Sequence, residues 1–364
     1  MTAATMRAAL LRTQGQKLEL RSDIGFAAPG RGQVLVRVAF SGVCHSQLME
    51  VRGGRGPDAW LPHLLGHEGS GIVQAIGAGV TKVVPGDRVI LGWIKGSGLE
   101  AGGAHYQCGD TRINAGGVTT FNEYALVSEN RLTPLPDDIP MDIAVLFGCA
   151  VPTGAGIVLN ELQPPPGSTI GVFGLGGIGM SALMATALCD AARVIAVDRV
   201  PEKLALAREF GATDLIDAGD SDVLAAIRAL TGGRGLDFAV EASGQVRVIE
   251  QAFAAVRPQG GLCVFASHPR QGERIALDPY DLICGRQIRG SWGGRCVPDR
   301  DIPRFLDLYR QGRLPLEKLI TRRYRLDQIN EALDDLEAGR VGRPLIEIAP
   351  DLASGIPVSV TISG

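Results

Sequence analysis

Between residues 168 and 266 strand-like and helix-like runs alternate, and the first junction reads Gly174-Leu175-Gly176-Gly177-Ile178-Gly179. The apolar run Ser168–Phe173 precedes it, the small-residue helical run Gly177–Cys189 follows, and Arg193–Asp198 reads as a second strand ending in an acid. No other feature constrains the chain as strongly. The first glycine allows a sharp turn, the second lets backbone approach a bulky anion, and the third lets helix lie close on strand. The helix N-terminus adds unpaired N–H groups and the positive end of a dipole. A pyrophosphate suits that setting. Asp198, about twenty residues on, would accept hydrogen bonds from both ribose hydroxyls and repel a 2′-phosphate. The spacing predicts NAD rather than NADP, with Arg199 offsetting part of the repulsion. Glycines that serve packing alone would give the same motif, but strand, turn, helix and acid together favour the dinucleotide.

The alternation continues through Glu202–Phe210, Ala212–Ile216, Val223–Leu230, Asp237–Val240, Val246–Val256 and Gly261–Ala266. Five strands with intervening helices imply a parallel sheet with right-handed crossovers. Before residue 150 the chain reads differently, as short β-like runs set off by Gly or Pro: Val34–Phe40, Gly71–Ile76 and Asp87–Leu91. After residue 290 come helical runs at Ile302–Gln311 and Leu326–Glu337 and a strand-like run at Pro344–Ile348. A chain of 364 residues exceeds what one core normally supports. The expected architecture is α/β: a discontinuous β-rich domain, 1–153 and 291–364, interrupted by a doubly wound parallel-sheet nucleotide domain, 154–290. The tail 351–364 suggests no role.

Composition excludes several classes. A net charge of −3 gives no basic field for nucleic acid. No apolar run approaches the roughly 18 residues of a membrane span, and MTAATMRAAL lacks a secretory pattern. A soluble cytoplasmic protein is the expectation. Seven scattered cysteines, an odd number, argue against a disulfide framework and for metal ligation or packing.

Cys44 lies in Gly42-Val43-Cys44-His45-Ser46, His67 and Glu68 lie in Gly66-His67-Glu68-Gly69, and Cys149 follows Phe147-Gly148. Cys and His are good zinc ligands, and three ligands with one open position make a catalytic site. No local spacing announces such a site, and each residue alone reads as an ordinary buried Cys or surface His. However, Gly66-His67-Glu68-Gly69-Ser70-Gly71 with Gly77 and Val80 resembles the zinc signature of the medium-chain dehydrogenase/reductase superfamily. Gly148–Gly154, the glycine-rich turn, Val240-Glu241-Ala242-Ser243-Gly244 and Trp292-Gly293-Gly294 resemble the same family in order and separation. The likeness spans about residues 7–349 and is nearest the zinc alcohol dehydrogenases, with a GroES-like catalytic domain and a Rossmann nucleotide domain.

The resemblance implies Cys44, His67 and Cys149 as ligands of one catalytic zinc, with Glu68 the carboxylate able to exchange onto it. It implies Ser46 as the hydroxyl that bonds the substrate oxygen. Thr153 and Ile178 would flank the nicotinamide. Gly174, Gly176, Gly177 and Gly179 would line the pyrophosphate, approached by Arg343 and His45. Asp198 and Lys203 would hold the ribose. Trp93, with Trp60 just before the zinc histidine, would line the substrate pocket or else serve the core; the pocket reading favours a hydrophobic or aromatic primary alcohol or its aldehyde. A homo-oligomer, dimer or tetramer, joined near Gly261–Ser291 is implied too. Rival readings are a sorbitol- or threonine-type dehydrogenase for secondary alcohols, a zinc-free quinone or enoyl reductase, and a non-catalytic nucleotide-binding protein.

Three departures stand out. The Gly92–Gly117 region holds only Cys108, where many relatives hold a second, structural zinc with four cysteines; one zinc per chain and a short flexible GSGLEAGGAH loop are expected. Gln47 replaces an aspartate that supports the ligand histidine, which predicts weaker zinc binding or altered metal acidity. Met49 replaces a histidine that ends the proton relay, and methionine carries no proton; the relay would leave through Ser46, a ribose hydroxyl and water, or through His45. The second half resembles the class III, glutathione-linked group, but the segment giving its glutathione contacts has no counterpart here.

Overall fold

The computed structural model describes residues 4–354; the last ten residues of the tail, whose role the sequence leaves open, lie outside them. The chain divides into two compact units: 1–149, 297–303 and 316–364, and 150–296 with 304–315.

The first unit is built on the strand Gln33–Gly42, buried along almost its whole length. Its apolar run VLVRVAF suits a strand covered on both faces. Gly69–Ile76 and Tyr124–Ser128 pair with it antiparallel. The sheet extends through Arg88–Leu91 and Leu132–Pro134 on one side. On the other side Arg343–Glu347 joins antiparallel, placing Leu345 opposite Gly42. Ile320–Arg325 then adds a parallel strand at the edge. The C-terminal run thus returns to the N-terminal sheet, as the sequence suggests. Register shifts fall next to Val36 and Val38, and between them a Cβ at Gly71 would lie 2.3 Å from the Arg37 carbonyl oxygen, so the backbones approach closely there. Ala4–Leu11, Glu19–Phe26, His63–Leu64, His105–Cys108 and Thr111–Asn114 close into a small barrel. Val34, Val36, Leu91, Phe121, Leu333 and Ile346 meet in the main core.

The second unit is a six-stranded, all-parallel sheet. Counting strands from Thr169–Phe173 as the first, their order across the sheet is 3-2-1-4-5-6, the doubly wound arrangement. Thr169–Phe173 is wholly buried at the centre. Asp222 caps the Val223–Leu230 helix by accepting the Ala225 N–H at 3.1 Å. The sixth strand, Gln287–Gly290, is one more than the five expected; it is a mostly exposed edge with a single large apolar residue, so it carries no alternation to read. The helix expected at Ile302–Gln311 begins earlier, at Pro298, where the Asp301 carboxylate accepts the Val297 N–H at 2.8 Å.

The units differ from the expected domains: 150–153 and 291–296 go with the second unit, and so do 304–315, expected in the first. Residues Ala150–Gly156 go with the second unit because Gly154 lies so near Ile178 that a Cβ would sit 2.1 Å from the Ile178 carbonyl oxygen. No single helix among the described residues is long and apolar enough to cross a membrane.

Candidate active site

Three turns carry the metal-ligand candidates. The strand Gln33–Gly42 ends, Val43 N–H bonds the Pro344 carbonyl at 3.1 Å, and Cys44 becomes the N-cap of the helix His45–Val51. His67 follows Gly66, whose φ of +94° and crowding against Thr120 admit no side chain. Cys149 follows the short helical turn Val145–Gly148 and opens Ala150–Gly156. The donor atoms of Cys44, His67 and Cys149 all lie within 4.8 Å of one another. Tetrahedral zinc with ordinary Zn–S and Zn–N lengths needs donors roughly 3.5–3.8 Å apart. The His67 Nε2 is buried with no hydrogen-bond partner, as a nitrogen reserved for a metal would be.

Electrostatics point the same way. Cys44 is held well below the ordinary thiol range, first because the Cys149 thiol hydrogen-bonds its sulfur, against the opposing effect of burial. Cys149 is pushed well above that range by the same contact and by burial. Two buried thiols sharing one charge become a pair of thiolates only beside a cation. Burial works to lower the His67 pKa, but its contact with Cys44 raises it.

Beneath this triangle Glu68 is fully buried, and burial raises its pKa against the opposing effect of Arg343. Arg343 Nη2 contacts both Glu68 carboxylate oxygens, while its Nε is buried without a partner. Arg343, assigned by resemblance to the pyrophosphate, therefore rests on Glu68. Two glycines make the room: a Cβ at Gly42 would lie 2.5 Å from Glu68 Oε1, and one at Gly148 would lie 2.8 Å from Glu68 Cβ. Glycine roles of this kind have no sequence signal beyond adjacency to the two ligand cysteines.

Around the rim, Ser46 Oγ is 3.3 Å from His67 Nδ1, and Gln47 contacts the same nitrogen. His45 is exposed and Met49 is buried. Trp60 is 70% exposed, which rules out a place in the core; Trp93 is half-buried, its carbonyl taken by Arg131. The 96–105 loop, expected to be flexible, is tied through backbone N–H groups: Ser97 to Asp299 at 2.5 Å, Leu99 to Glu129 at 2.7 Å and Ala101 to Ser128 at 2.9 Å. Lys95 holds the Glu100 carboxyl down at about 2. The Cys108 thiol points to Asp23, 3.7 Å away.

In the second unit the three glycines separate into three roles. Gly174 has φ +84°, and a Cβ there would meet Ser243 N at 2.7 Å. A Cβ at Gly179 would lie 1.9 Å from the Gly174 carbonyl oxygen, so helix and turn touch directly. Nothing lies within 4 Å of a Cβ at Gly176, the N-cap of Gly177–Thr186. The protein's own packing does not require that glycine; an anion laid on the helix N-terminus would. Asp198 braces the turn, accepting from Leu175 N–H at 2.6 Å and from Arg199 and Val200 N–H at 2.8 and 3.0 Å. A carboxylate has about four acceptor positions, so capacity for a ribose hydroxyl remains. Lys203 is half-buried, Arg199 is exposed and Ile178 stands half-buried on the helix's first turn. Thr153 is buried with Oγ1 unpartnered. Gly293 and Gly294 lie against Ala150–Gly156, where a Cβ at Gly294 would meet Pro152 O at 2.5 Å.

Sequence reading gave no role to Glu241. It is fully buried; Oε1 accepts from Ser243 and Gly244 N–H at 2.7 and 3.1 Å, while Oε2 has no partner. Burial lifts its pKa to about 7.

Comparison with known proteins agrees with this geometry. The family model described as alcohol dehydrogenase GroES-like domain matches residues 30–137, and that described as zinc-binding dehydrogenase matches residues 177–311. Alcohol dehydrogenase class-3 of Myxine glutinosa is 33% identical over 353 residues, 90% of this chain and 93% of that protein. Geraniol dehydrogenase of Castellaniella defragrans is 34% identical over 368 residues, 93% and 97% of the two chains. The crystal structure of benzyl alcohol dehydrogenase from Acinetobacter calcoaceticus superposes with a TM-score of 0.86 at 32% identity, covering 95% of this chain and 100% of that one. The chain belongs to the zinc-binding alcohol dehydrogenases of the medium-chain dehydrogenase/reductase superfamily.

Proposed function

We propose that the chain interconverts a hydrophobic or aromatic primary alcohol and its aldehyde with NAD, using one zinc per chain. The observation that carries this reading is the convergence of two cysteine sulfurs and one histidine nitrogen from turns more than a hundred residues apart at the extremes. Cys44, His67 and Cys149 would hold the zinc, whose chemistry when bound is to lower the pKa of an alcohol hydroxyl. Ser46 Oγ receives the hydroxyl proton and passes it toward solvent. With Met49 unable to carry it, the exposed His45 is the neighbouring group suited to relay it. Glu68, neutralised by Arg343, keeps the floor of the site free of an uncompensated charge. In the second unit the Gly176 opening and the N-terminus of Gly177–Thr186 suit the pyrophosphate of NAD, which as cofactor accepts the hydride. Asp198 favours NAD over NADP by repelling a 2′-phosphate.

Two matched proteins are named for benzyl alcohol and geraniol, both hydrophobic primary alcohols, which supports the substrate class. A single metal is supported by the 92–117 segment, where carboxylates and backbone N–H groups do the tying and Cys108 is the one cysteine. The Gln287–Gly290 edge strand, with Tyr280, Ile283 and Trp292 at 67%, 78% and 81% exposure, supports a homo-oligomer in which a second copy covers this edge. Seven free cysteines suit a reducing compartment and a cytoplasmic location.

The test is a panel of primary alcohols, secondary alcohols and aldehydes followed by NADH absorbance, with zinc content and sedimentation measured on the same sample. Turnover of aromatic primary alcohols with NAD, one zinc per chain and loss of activity on chelation are expected. Turnover confined to secondary alcohols, or two tightly held zincs, would overturn the corresponding part.

A further inference from the structure

The strand Phe238–Glu241 lies beside Thr169–Phe173, at the place where the strand order of the nucleotide sheet reverses. A doubly wound sheet holds its ligand outside the carboxyl ends of the strands at that point. Glu241 ends its strand, and its side chain builds the turn that follows. Oε1 accepts from the Ser243 and Gly244 N–H groups and from the Ser243 hydroxyl. Ser243 Oγ accepts in turn from Gln245 N–H at 3.2 Å, at the start of the helix Val246–Ala255. The turn so held is wedged between two neighbours. On one side a Cβ at Gly174 would lie 2.7 Å from Ser243 N. On the other a Cβ at Gly244, whose φ is +72°, would lie 3.1 Å from the His268 carbonyl oxygen. The glycine-rich turn therefore rests on a turn that one carboxyl oxygen organises.

The other oxygen, Oε2, is buried without a partner. Phe173 and Phe265 stand level with Glu241 on the flanking strands. Cys263 is the titratable group that senses it, its thiol pushed up by burial and then by Glu241. The helix Gly177–Thr186 carries no titratable side chain. On Val246–Ala255, Arg247 is exposed and Glu250 accepts the Ala276 N–H at 2.7 Å. His268 is exposed, its ring against the Pro269 carbonyl. No cation among the described residues pairs with Glu241. A neutral carboxyl leaves one hydroxyl unpaired here. A carboxylate leaves a buried charge uncompensated, which costs far more and is relieved only by moving toward water. That movement withdraws Oε1 from Ser243 and Gly244 and frees the turn against Gly174.

We propose that Glu241 is a positioning residue for the dinucleotide that acts in its protonated form: the neutral carboxyl fixes the 242–244 turn against the glycine-rich turn, and ionisation loosens both. Nucleotide binding is then coupled to uptake of one proton at Glu241. This rests on the dinucleotide reading above. Burial lifts Glu241 to about 7, so the coupling falls near neutral pH.

The experiment measures binding of ADP-ribose, which carries ribose and pyrophosphate without the nicotinamide ring, to wild type and Glu241→Gln. Glutamine keeps the acceptor oxygen and carries no charge, so it stands in for the neutral carboxyl. Calorimetry at pH 6 and pH 8, the latter in two buffers of different ionisation enthalpy, gives affinity and protons taken up. Between pH 6 and 8 wild-type affinity should fall about tenfold more than that of the variant, as the competent fraction drops from about nine-tenths to about one-tenth. At pH 8 wild type should take up about 0.9 proton more per ADP-ribose than the variant, because linkage is reciprocal. Equal pH slopes and equal proton uptake overturn the proposal, even where the variant binds more weakly at both pH values, since a purely structural role would do that. Infrared difference spectra of wild type cover the case of a variant that fails to fold: ADP-ribose added at pH 8 should strengthen the neutral-carboxyl band, and an unchanged band overturns the proposal. Wild-type binding without proton uptake overturns it and leaves the dinucleotide reading intact, whereas no binding by folded wild type at either pH overturns both.

Discussion

The metal triangle and the glycine-rich turn both suit a charged group, and they are built by opposite means. The triangle draws on residues 44, 67 and 149, each from a separate turn. The glycine-rich turn uses six consecutive residues, and its geometry lies in the backbone, with Gly179 against Gly174. Side chains make the first site, so a substitution there can remove chemistry while sparing the fold. Backbone contact makes the second, so a substitution there strikes fold and binding together.

Cys149→Ala tests the first half of that contrast and should have the largest effect. Two donors remain, and turnover should fall at least about a thousandfold as zinc is lost. The melting temperature should hardly move. Zinc analysis, an NADH assay and a thermal melt on one preparation decide it; full activity without metal would break the contrast. Gly179→Ala tests the other half. Its Cβ would lie 1.9 Å from the Gly174 carbonyl oxygen, a clash expected to cost about 3 kcal/mol. Melting temperature and NADH binding should fall together, and lost binding with unchanged stability would show the turn to be less coupled than drawn.

Asp198→Asn sharpens the comparison by keeping an acceptor while removing charge. NAD affinity should weaken about tenfold, and preference over NADP should narrow. Unchanged discrimination, measured by titration with both nucleotides, would move the selectivity elsewhere. The smallest effect concerns Glu241. Its folded pKa is raised by burial from 4.5 to about 7, so the folded state holds the proton more tightly than the unfolded state. The stability it contributes is full below the unfolded value and lost as pH rises through 7. The loss between pH 6 and 8 is about 1 kcal/mol, and Glu241→Gln should flatten that part of the melting-temperature profile. A wild-type profile rising with pH, or an unchanged slope in the variant, would exclude this role.

The nucleotide unit was the more legible half. Its strands are buried at the centre of a parallel sheet, so apolar runs such as Thr169–Phe173 stand out between helical stretches. The missed strand, Gln287–Gly290, sits at the edge, where burial imposes no pattern. In the first unit, resemblance rather than spacing picked out Cys44, His67 and Cys149. The Glu68–Arg343 pair spans 275 residues and depends on Leu345 standing opposite Gly42. No local pattern encodes such a meeting. Gln47 was noticed as a missing carboxylate, but its divided contact with Cys44 and His67 needed coordinates.

By itself the sequence determined the alternating βα order, the glycine-rich turn with its acid, and the residue types able to bind zinc. These follow from local rules: backbone freedom at glycine, the periodicity of buried side chains, and the chemistry of thiols and imidazoles. The tertiary structure alone decided which distant side chains meet, where Glu68 finds its counterion, and that Gln47 reaches both the Cys44 N–H and His67 Nδ1. Those outcomes depend on strand register and on atoms brought within a few ångströms by folding, and hydrogen bonds and metal coordination are decided at that range.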